Sequence, residues 1–288
     1  YMHMSAIDGV DLQFLVDGRH LEIARARSTP EEWQHFMATL FRVEDAAVSL
    51  RAGLALHILR NVMRGLAVLH DNGFIHGDIK PTNIMVNIQG TVKLVDFGRA
   101  AQIGEPLNIL LGSPLFMAPE SHRREPGRVQ SDIFSTGLVA LELLRGGQVS
   151  ARADYNENQL LDLKTGLASR IEQMLPEEML GNIEFIHVLK HFIESDWANR
   201  YASAREAESG EHSLMSARQW LSDAERECEY ERELEAYLRK LADTETGSLN
   251  PHFADDNLTA VIEVQPAGAA RVTGREYARE RAQDTSGA

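Results

Sequence analysis

Apolar residues recur along Ala52–Asp71 with a helical period: Leu54, Ala55, Ile58, Leu59, Val62, Met63, Leu66, Ala67 and Leu69. They cover most of the circumference of one long helix, and such a helix belongs inside a domain. Asn72-Gly73 supplies residues that accept positive φ and ends it. A second buried helix is predicted over Ser131–Leu144, where Ile133, Phe134, Leu138, Val139, Ala140, Leu141, Leu143 and Leu144 are apolar. It opens on Ser131-Asp132, suited to capping backbone N–H groups, and stops at Gly146-Gly147. Between the two helices the pattern changes. Short apolar runs at Ile84–Val86 and Val92–Val95 flank the turn residues Gln89-Gly90, which predicts a small β-hairpin.

The flanks are less regular. Two apolar clusters around Asp17-Gly18, within Asp11–Ile23, suggest a short β excursion. Ser28-Thr29-Pro30-Glu31-Glu32 is a helix start: a capping hydroxyl, an early proline, then acids in the first turn. The stripe Trp33, Phe36, Met37, Leu40 and Phe41 follows and reads as packed core. Further helices are expected over 155–205. There Glu184, His187 and His191 share one helix face in the manner of a metal site, but their apolar neighbours favour plain packing.

From Arg205 to Glu245 the composition shifts to acids. Trp220, Leu221, Ala224, Cys228, Leu234, Leu238 and Leu241 still recur at helical spacing, with a phase slip near Glu231. A charged amphipathic helical extension over 206–246 is expected. It packs on the rest of the chain or meets a partner through 214–242. Asn257–Val264 has the composition of one strand, and residues 247–288 as a whole are expected to be mostly disordered.

Composition narrows the class. The 288 residues are 43% hydrophobic, enough for a globular core. A net charge of −14 argues against nucleic acid or an anionic membrane as the main partner. The lone cysteine, Cys228, excludes an intramolecular disulfide and suits a reducing, cytoplasmic setting. No apolar run in the sequence stands out as a membrane segment or a signal peptide. The chain opens on Tyr1 rather than Met, so it is expected to be a fragment.

Candidate chemistry gathers around the hairpin. Asp78 and Asn83 lie just before its first strand, in His76-Gly77-Asp78-Ile79-Lys80-Pro81-Thr82-Asn83, and Asp96-Phe97-Gly98 lies just after its second. An antiparallel hairpin brings those ends together, so two carboxylates and an amide converge on one cleft. Mg²⁺ takes oxygen ligands and only one or two protein carboxylates when it also holds phosphates. Asn83 and Asp96 fit that role, which leaves Asp78 free to accept a proton from an attacking hydroxyl. Lys80 would put positive charge near a transferring phosphoryl group.

These residues, with the later Ala118-Pro119-Glu120, resemble the catalytic and metal-binding loops of eukaryotic-type (Hanks-type) serine/threonine protein kinases. The resemblance covers roughly residues 50–205. It implies a mainly α fold, the large C-terminal lobe of a kinase: a helical bundle with a small β-hairpin carrying the catalytic loops. It also implies ATP and Mg²⁺ as cofactors and protein Ser/Thr hydroxyls as substrates. Asp78 and Lys80 would be catalytic, and Asn83 and Asp96 would hold Mg²⁺. Met2, in a hinge-like Tyr1-Met2, and Met85 would contact the nucleotide along with Lys80. Ser113, in Gly112-Ser113-Pro114, would face the substrate. Glu120 would pair with Arg200, and Asp132 would anchor the catalytic-loop backbone. The lobe would run over 1–205 with an insertion at about 8–48.

The sequence departs from the family pattern in two ways. It contains no Gly-rich loop and no strand lysine in a Val-Ala-x-Lys setting, so the small lobe is expected to be missing and this fragment to be inactive alone. Gly77 stands where Arg is common, and no Ser, Thr or Tyr occurs between Gly98 and Gly112. Phosphorylation of that loop is therefore not expected to switch the protein on. Two alternatives stay open: a pseudokinase that serves only as an interaction module, and a kinase-like small-molecule phosphotransferase. Enzymes of the latter kind share His-Gly-Asp but lack the Ala-Pro-Glu closure.

Overall fold

The computed structural model describes residues 7–44, 47–105, 114–147, 149 and 155–249. The chain divides into 1–254 and 255–288, and the second unit lies outside the described residues. So do Met2, Ser113 and the strand expected at 257–264.

The chain opens with β1 (Gly9–Asp11), α1 (Leu12–Asp17), α2 (Arg19–Ala26) and α3 (Pro30–Thr39). A hairpin of β2 (Phe41–Glu44) and β3 (Ala47–Leu50) leads into α4 (Ala52–Asp71) and β4 (Phe74–Ile75). Next come β5 (Ile84–Asn87), β6 (Val92–Leu94) and β7 (Ala101–Gln102). The rest is helical: α5 (Pro119–His122), α6 (Val129–Arg145), α7 (Glu157–Thr165), α8 (Leu167–Arg170) and α9 (Ile183–Phe192). Four more close the described chain: α10 (Ala204–Ser209), α11 (Leu214–Arg218), α12 (Asp223–Glu227) and α13 (Tyr230–Leu241).

The architecture is mainly α. Helices α4 and α6 pack together at its centre. Leu54, Ile58, Leu59, Val62, Met63 and Leu66 of α4, with Ile133, Phe134 and Val139 of α6, have no exposed surface. Helix α4 is long and apolar enough, by length and composition, to cross a membrane, which corrects the sequence reading that nothing in the chain is. Its apolar surface is instead spent on the protein's own core: ten of its residues are buried. Gly146 ends α6 at φ 70°, and its N–H donates to the Glu142 carbonyl at 2.9 Å. A Cβ there would stand 2.5 Å from the Val48 carbonyl oxygen, so the helix end lets β3 approach to backbone contact.

The predicted hairpin forms with Ile84 opposite Leu94 and Val86 opposite Val92. Strand β1 adds to its other edge, Gly9 opposite Asn87 and Asp11 opposite Met85. The β excursion expected over 11–23 is instead two short helices. The Asp11 carboxylate accepts the Phe14 N–H at 2.8 Å and starts α1; Gly18 at φ 83° ends it. Thr29 and Glu32 form a reciprocal capping box at the start of α3.

The acidic extension is four helices rather than one. Helix α13 lies against α2 and α3, with Leu234, Tyr237, Leu238 and Leu241 fully buried. The C-terminal part of the apolar stripe, Leu234, Leu238 and Leu241, is thus covered within the chain, whereas Trp220 stays 68% exposed. Lys240 bridges to Glu32 at 2.7 Å and His35 to Glu233 at 2.8 Å around its rim.

Candidate active site

Helix α4 and strand β4 deliver the chain to a loop that runs from His76 to Asn83. The loop's backbone is held from below by Asp132, in the first turn of α6. Its carboxylate accepts the His76 N–H at 2.8 Å and the Gly77 N–H at 2.9 Å, and His70 Nε2 lies 2.9 Å away. Asp132 is 1% exposed. A buried carboxylate is tolerated when its oxygens are paired in this way. Ile79, also buried, pins the loop between Asp78 and Lys80.

Asp78 is the focus of side-chain contacts. Lys80 Nζ donates to its Oδ2 at 2.9 Å, and Asn83 Nδ2 donates to the same oxygen at 3.0 Å and to the Asp78 carbonyl at 2.8 Å. Arg99 Nη1 stands 3.5 Å from Oδ1. Pro81–Asn83 is a 3₁₀ turn that buries Asn83 and starts β5. Met85, half-buried on β5, points away from the face that buries Ile84 and Val86.

The hairpin brings the Asp96 segment to the same end. Val95 N–H donates to the Asn83 carbonyl at 3.0 Å, one residue beyond the last ladder pair. The His76 ring lies 3.1 Å from the Val95 carbonyl through Nε2, with its centroid 5.0 Å from that of Phe97. Asp96 itself is exposed and sits at φ 58°, a left-handed conformation that Asp tolerates better than most residues. Its Oδ1 accepts the Gly98 N–H at 3.3 Å. Gly77 stands at φ 75°, and a Cβ there would meet the Arg99 carbonyl oxygen at 2.9 Å. The His76–Asn83 loop and the segment after Asp96 therefore touch at backbone distance, and glycine permits it.

Glu120 and Arg200 meet in the interior. Their oxygens and guanidinium nitrogens pair at 2.7 and 2.9 Å, and Ser131 Oγ donates to Glu120 at 2.7 Å. Arg200 also donates to the carbonyls of Glu194, Gln130 and Ser195 and lies 4.6 Å from the centre of the Phe134 ring.

Two participants escaped sequence reasoning. Arg99 follows Gly98 directly, yet nothing in its setting points to Asp78. Lys164 is buried, and its Nζ donates to the carbonyls of Pro114 and Met117, the latter at 2.7 Å, beside His122 Nε2 at 2.9 Å. Burial brings the Lys164 ammonium down to about 7; burial and then Lys164 itself lower the His122 imidazole. A cleft of about 140 Å³ opens over this group, lined by Pro114, Met117, His122, Tyr155, Glu157 and Leu160. It adjoins the segment that ends in Ala118-Pro119-Glu120.

Comparison with known proteins adds a family. The protein kinase domain family matches residues 30–212, more than half of the chain. The serine/threonine-protein kinase shk1/pak1 of Schizosaccharomyces pombe is 38% identical over 101 residues, 34% of this chain and 15% of that protein. The probable serine/threonine-protein kinase PknB of Lactococcus lactis is 38% identical over 96 residues, 32% of this chain and 15% of its own length. The probable serine/threonine-protein kinase mkcD of Dictyostelium discoideum is 29% identical over 153 residues, covering 52% and 22%. The matched stretches thus span less than a quarter of each of these relatives. With the domain match enclosing the loop, the hairpin and the Glu120–Arg200 pair, the chain belongs to the protein kinase family.

Proposed function

We propose that this protein transfers a phosphoryl group from ATP to Ser or Thr hydroxyls of protein substrates, with Asp78 as the base. One observation carries the reading: Lys80 and Asn83 both bond the Asp78 carboxylate, at 2.9 and 3.0 Å, at the end of a hairpin whose other strand leads into Asp96. Family membership supports it. The relatives named above are described as serine/threonine kinases.

The donor set suits Mg²⁺. Asn83 spends its NH₂ on Asp78, so its amide oxygen is the atom it can offer to a cation, and Asp96 adds an exposed carboxylate. Hard oxygen donors of this kind are what Mg²⁺ takes. When bound, the ion neutralises charge on the nucleotide phosphates. The protein's own part is positioning. Asp132 fixes the loop, Asn83 and Lys80 fix the Asp78 carboxylate, and the carboxylate accepts the proton of the attacking hydroxyl. Lys80 then offers positive charge at the transferred group. In this reading Met85 supplies an apolar floor for the adenine, Met2 a hinge contact and Ser113 a substrate-facing hydroxyl. Residues 1–205 form the lobe, with about 8–48 inserted and 206–246 appended. The single cysteine supports a cytoplasmic setting.

The test is transfer from labelled ATP to a generic protein substrate by the full-length protein. Asp78→Asn is expected to lower turnover by several orders of magnitude while the unfolding midpoint stays close to that of the parent. Unchanged turnover in this variant rejects Asp78 as the base. Absence of transfer in every preparation favours the pseudokinase alternative.

A further inference from the structure

We infer that Glu184, His187 and His212 form a binding site for one divalent transition-metal ion, Zn²⁺ by donor chemistry, that clips α9 to the turn before α11. The sequence offers only a helix face, Glu184 with His187 and His191. The fold supplies a third donor from another segment. Ligand atoms of Glu184, His187 and His212 all lie within 4.8 Å of one another. In a tetrahedral zinc site with bonds near 2.0–2.1 Å, ligand atoms stand about 3.3 Å apart, so closing the set draws the side chains together by at most about 1.5 Å.

The surroundings hold the third donor in place. His212 sits between α10 and α11 at φ 50°, a left-handed conformation that His adopts more readily than most non-glycine residues. Its carbonyl accepts the hydroxyl of Tyr201, a residue 4% exposed, and the next residue, Ser213, is fully buried. His212 Nδ1 already stands 2.9 Å from Glu184 Oε1, and Ser216 Oγ donates to the same oxygen at 3.1 Å. The His212 and His187 ring centroids are 5.3 Å apart. His191, one turn along α9, packs edge-on against Tyr201 and stands outside the set of three.

The donor types decide the ion. Two imidazoles and one carboxylate suit Zn²⁺ and its neighbours, whereas Mg²⁺ and Ca²⁺ take oxygen. Three protein donors leave one position open, and His212 is exposed, so the ion has a way in. The site uses none of the residues assigned to phosphoryl transfer. It joins α9 to the turn before α11, segments that lie on either side of Arg200 in the chain.

The experiment titrates tag-free protein with Zn²⁺ in excess Mg²⁺, against a chromophoric chelator, and repeats it with Co²⁺ to read coordination from its visible spectrum. The expected result is one ion per chain at micromolar affinity or tighter, a tetrahedral or five-coordinate Co²⁺ spectrum, and a higher melting temperature with Zn²⁺. His187→Gln and His212→Gln should each weaken binding about tenfold or more, while His35→Gln, on α3, should leave it unchanged. Glu184→Gln provides a third arm should one histidine variant lose its native circular dichroism. No saturable binding, or binding indifferent to both histidine variants, overturns the site.

Discussion

Arg200 grips Glu120 with two nitrogens at 2.7 and 2.9 Å, and neither side chain exposes more than 1% of its surface. Glu120 closes the segment that begins at Asp96, and Arg200 follows α9, so one ion pair ties the end of that segment to the helical body. Removing either partner strands a charge in the interior, which costs on the order of 3–5 kcal/mol. Glu120→Gln and Arg200→Met should each lower the unfolding free energy read from urea titration by that measure. The double variant should recover part of the loss, since no lone charge is then left buried. Equal losses that simply add would mean the two side chains do not act as a pair.

The Asp132 carboxylate does for the His76–Asn83 loop what Arg200 does for the segment ending at Glu120. Asp132→Ala leaves the N–H groups of His76 and Gly77 without their acceptor. Buried unpaired donors cost about 1–3 kcal/mol each. The expected outcome is faster hydrogen exchange at the Gly77 amide with the interior of α4 still protected. Uniform loss of protection across α4 and α6 would instead show that Asp132 serves only global stability.

How much of this was legible in the sequence follows from range. Helices α4 and α6 and the hairpin announce themselves because their apolar periods are long or their turn chemistry is plain. Asp78 and Asn83 lie just before β5 and Asp96 just after β6, so the pairing of the hairpin alone brings the two segments to the same end. Helices α1 and α2 were missed because each is short and depends on one cap, Asp11, or one left-handed residue, Gly18. The extension looked like one helix because its spacing survives the breaks at Gly210, Ser222 and Cys228, where caps and not periodicity decide. Arg99, Lys164 and His212 gain their meaning only from segments distant in sequence or from the local path of the chain. No pattern in one dimension marks them.

Glu142 makes stability depend on pH. It is 1% exposed on α6, and its Oε2 is buried without a hydrogen-bond partner among the described residues. Burial raises its carboxyl from 4.5 to about 7. The folded state therefore holds a proton that the unfolded state has released between those values. Its contribution is fully present below 4.5 and is lost as the pH rises through 7, by about 3 kcal/mol at most. Glu142→Gln removes the titration. Relative to the parent, the variant should gain stability steadily from pH 4.5 to 7.5 in urea unfolding. A difference that stays flat with pH would show that Glu142 does not titrate in this range.

Tyr237 decides whether the acidic extension is part of the fold or an appendage to it. The residue lies on α13, fully buried against Phe36 and Phe41, with ring centroids 5.2 and 4.8 Å away. Its hydroxyl bonds His20 Nδ1, and the other ring nitrogen of His20 lies 2.8 Å from the Leu15 carbonyl. Burial lowers the His20 imidazole to about 4, so the neutral ring is the form that bridges the two segments at neutral pH. Tyr237→Phe keeps the packing and removes one partner of a buried polar pair, at a cost of about 1–3 kcal/mol. Tyr237→Ala also opens a cavity between α13 and α3 and should cost about 3–5 kcal/mol. Both variants should shift a single cooperative transition, because α13 and the helices it covers bury one surface in common. If Tyr237→Ala instead splits unfolding into two steps, with the α4–α6 core melting at the parental temperature, then the extension is a separate unit and its contacts with α2 and α3 add nothing to the lobe.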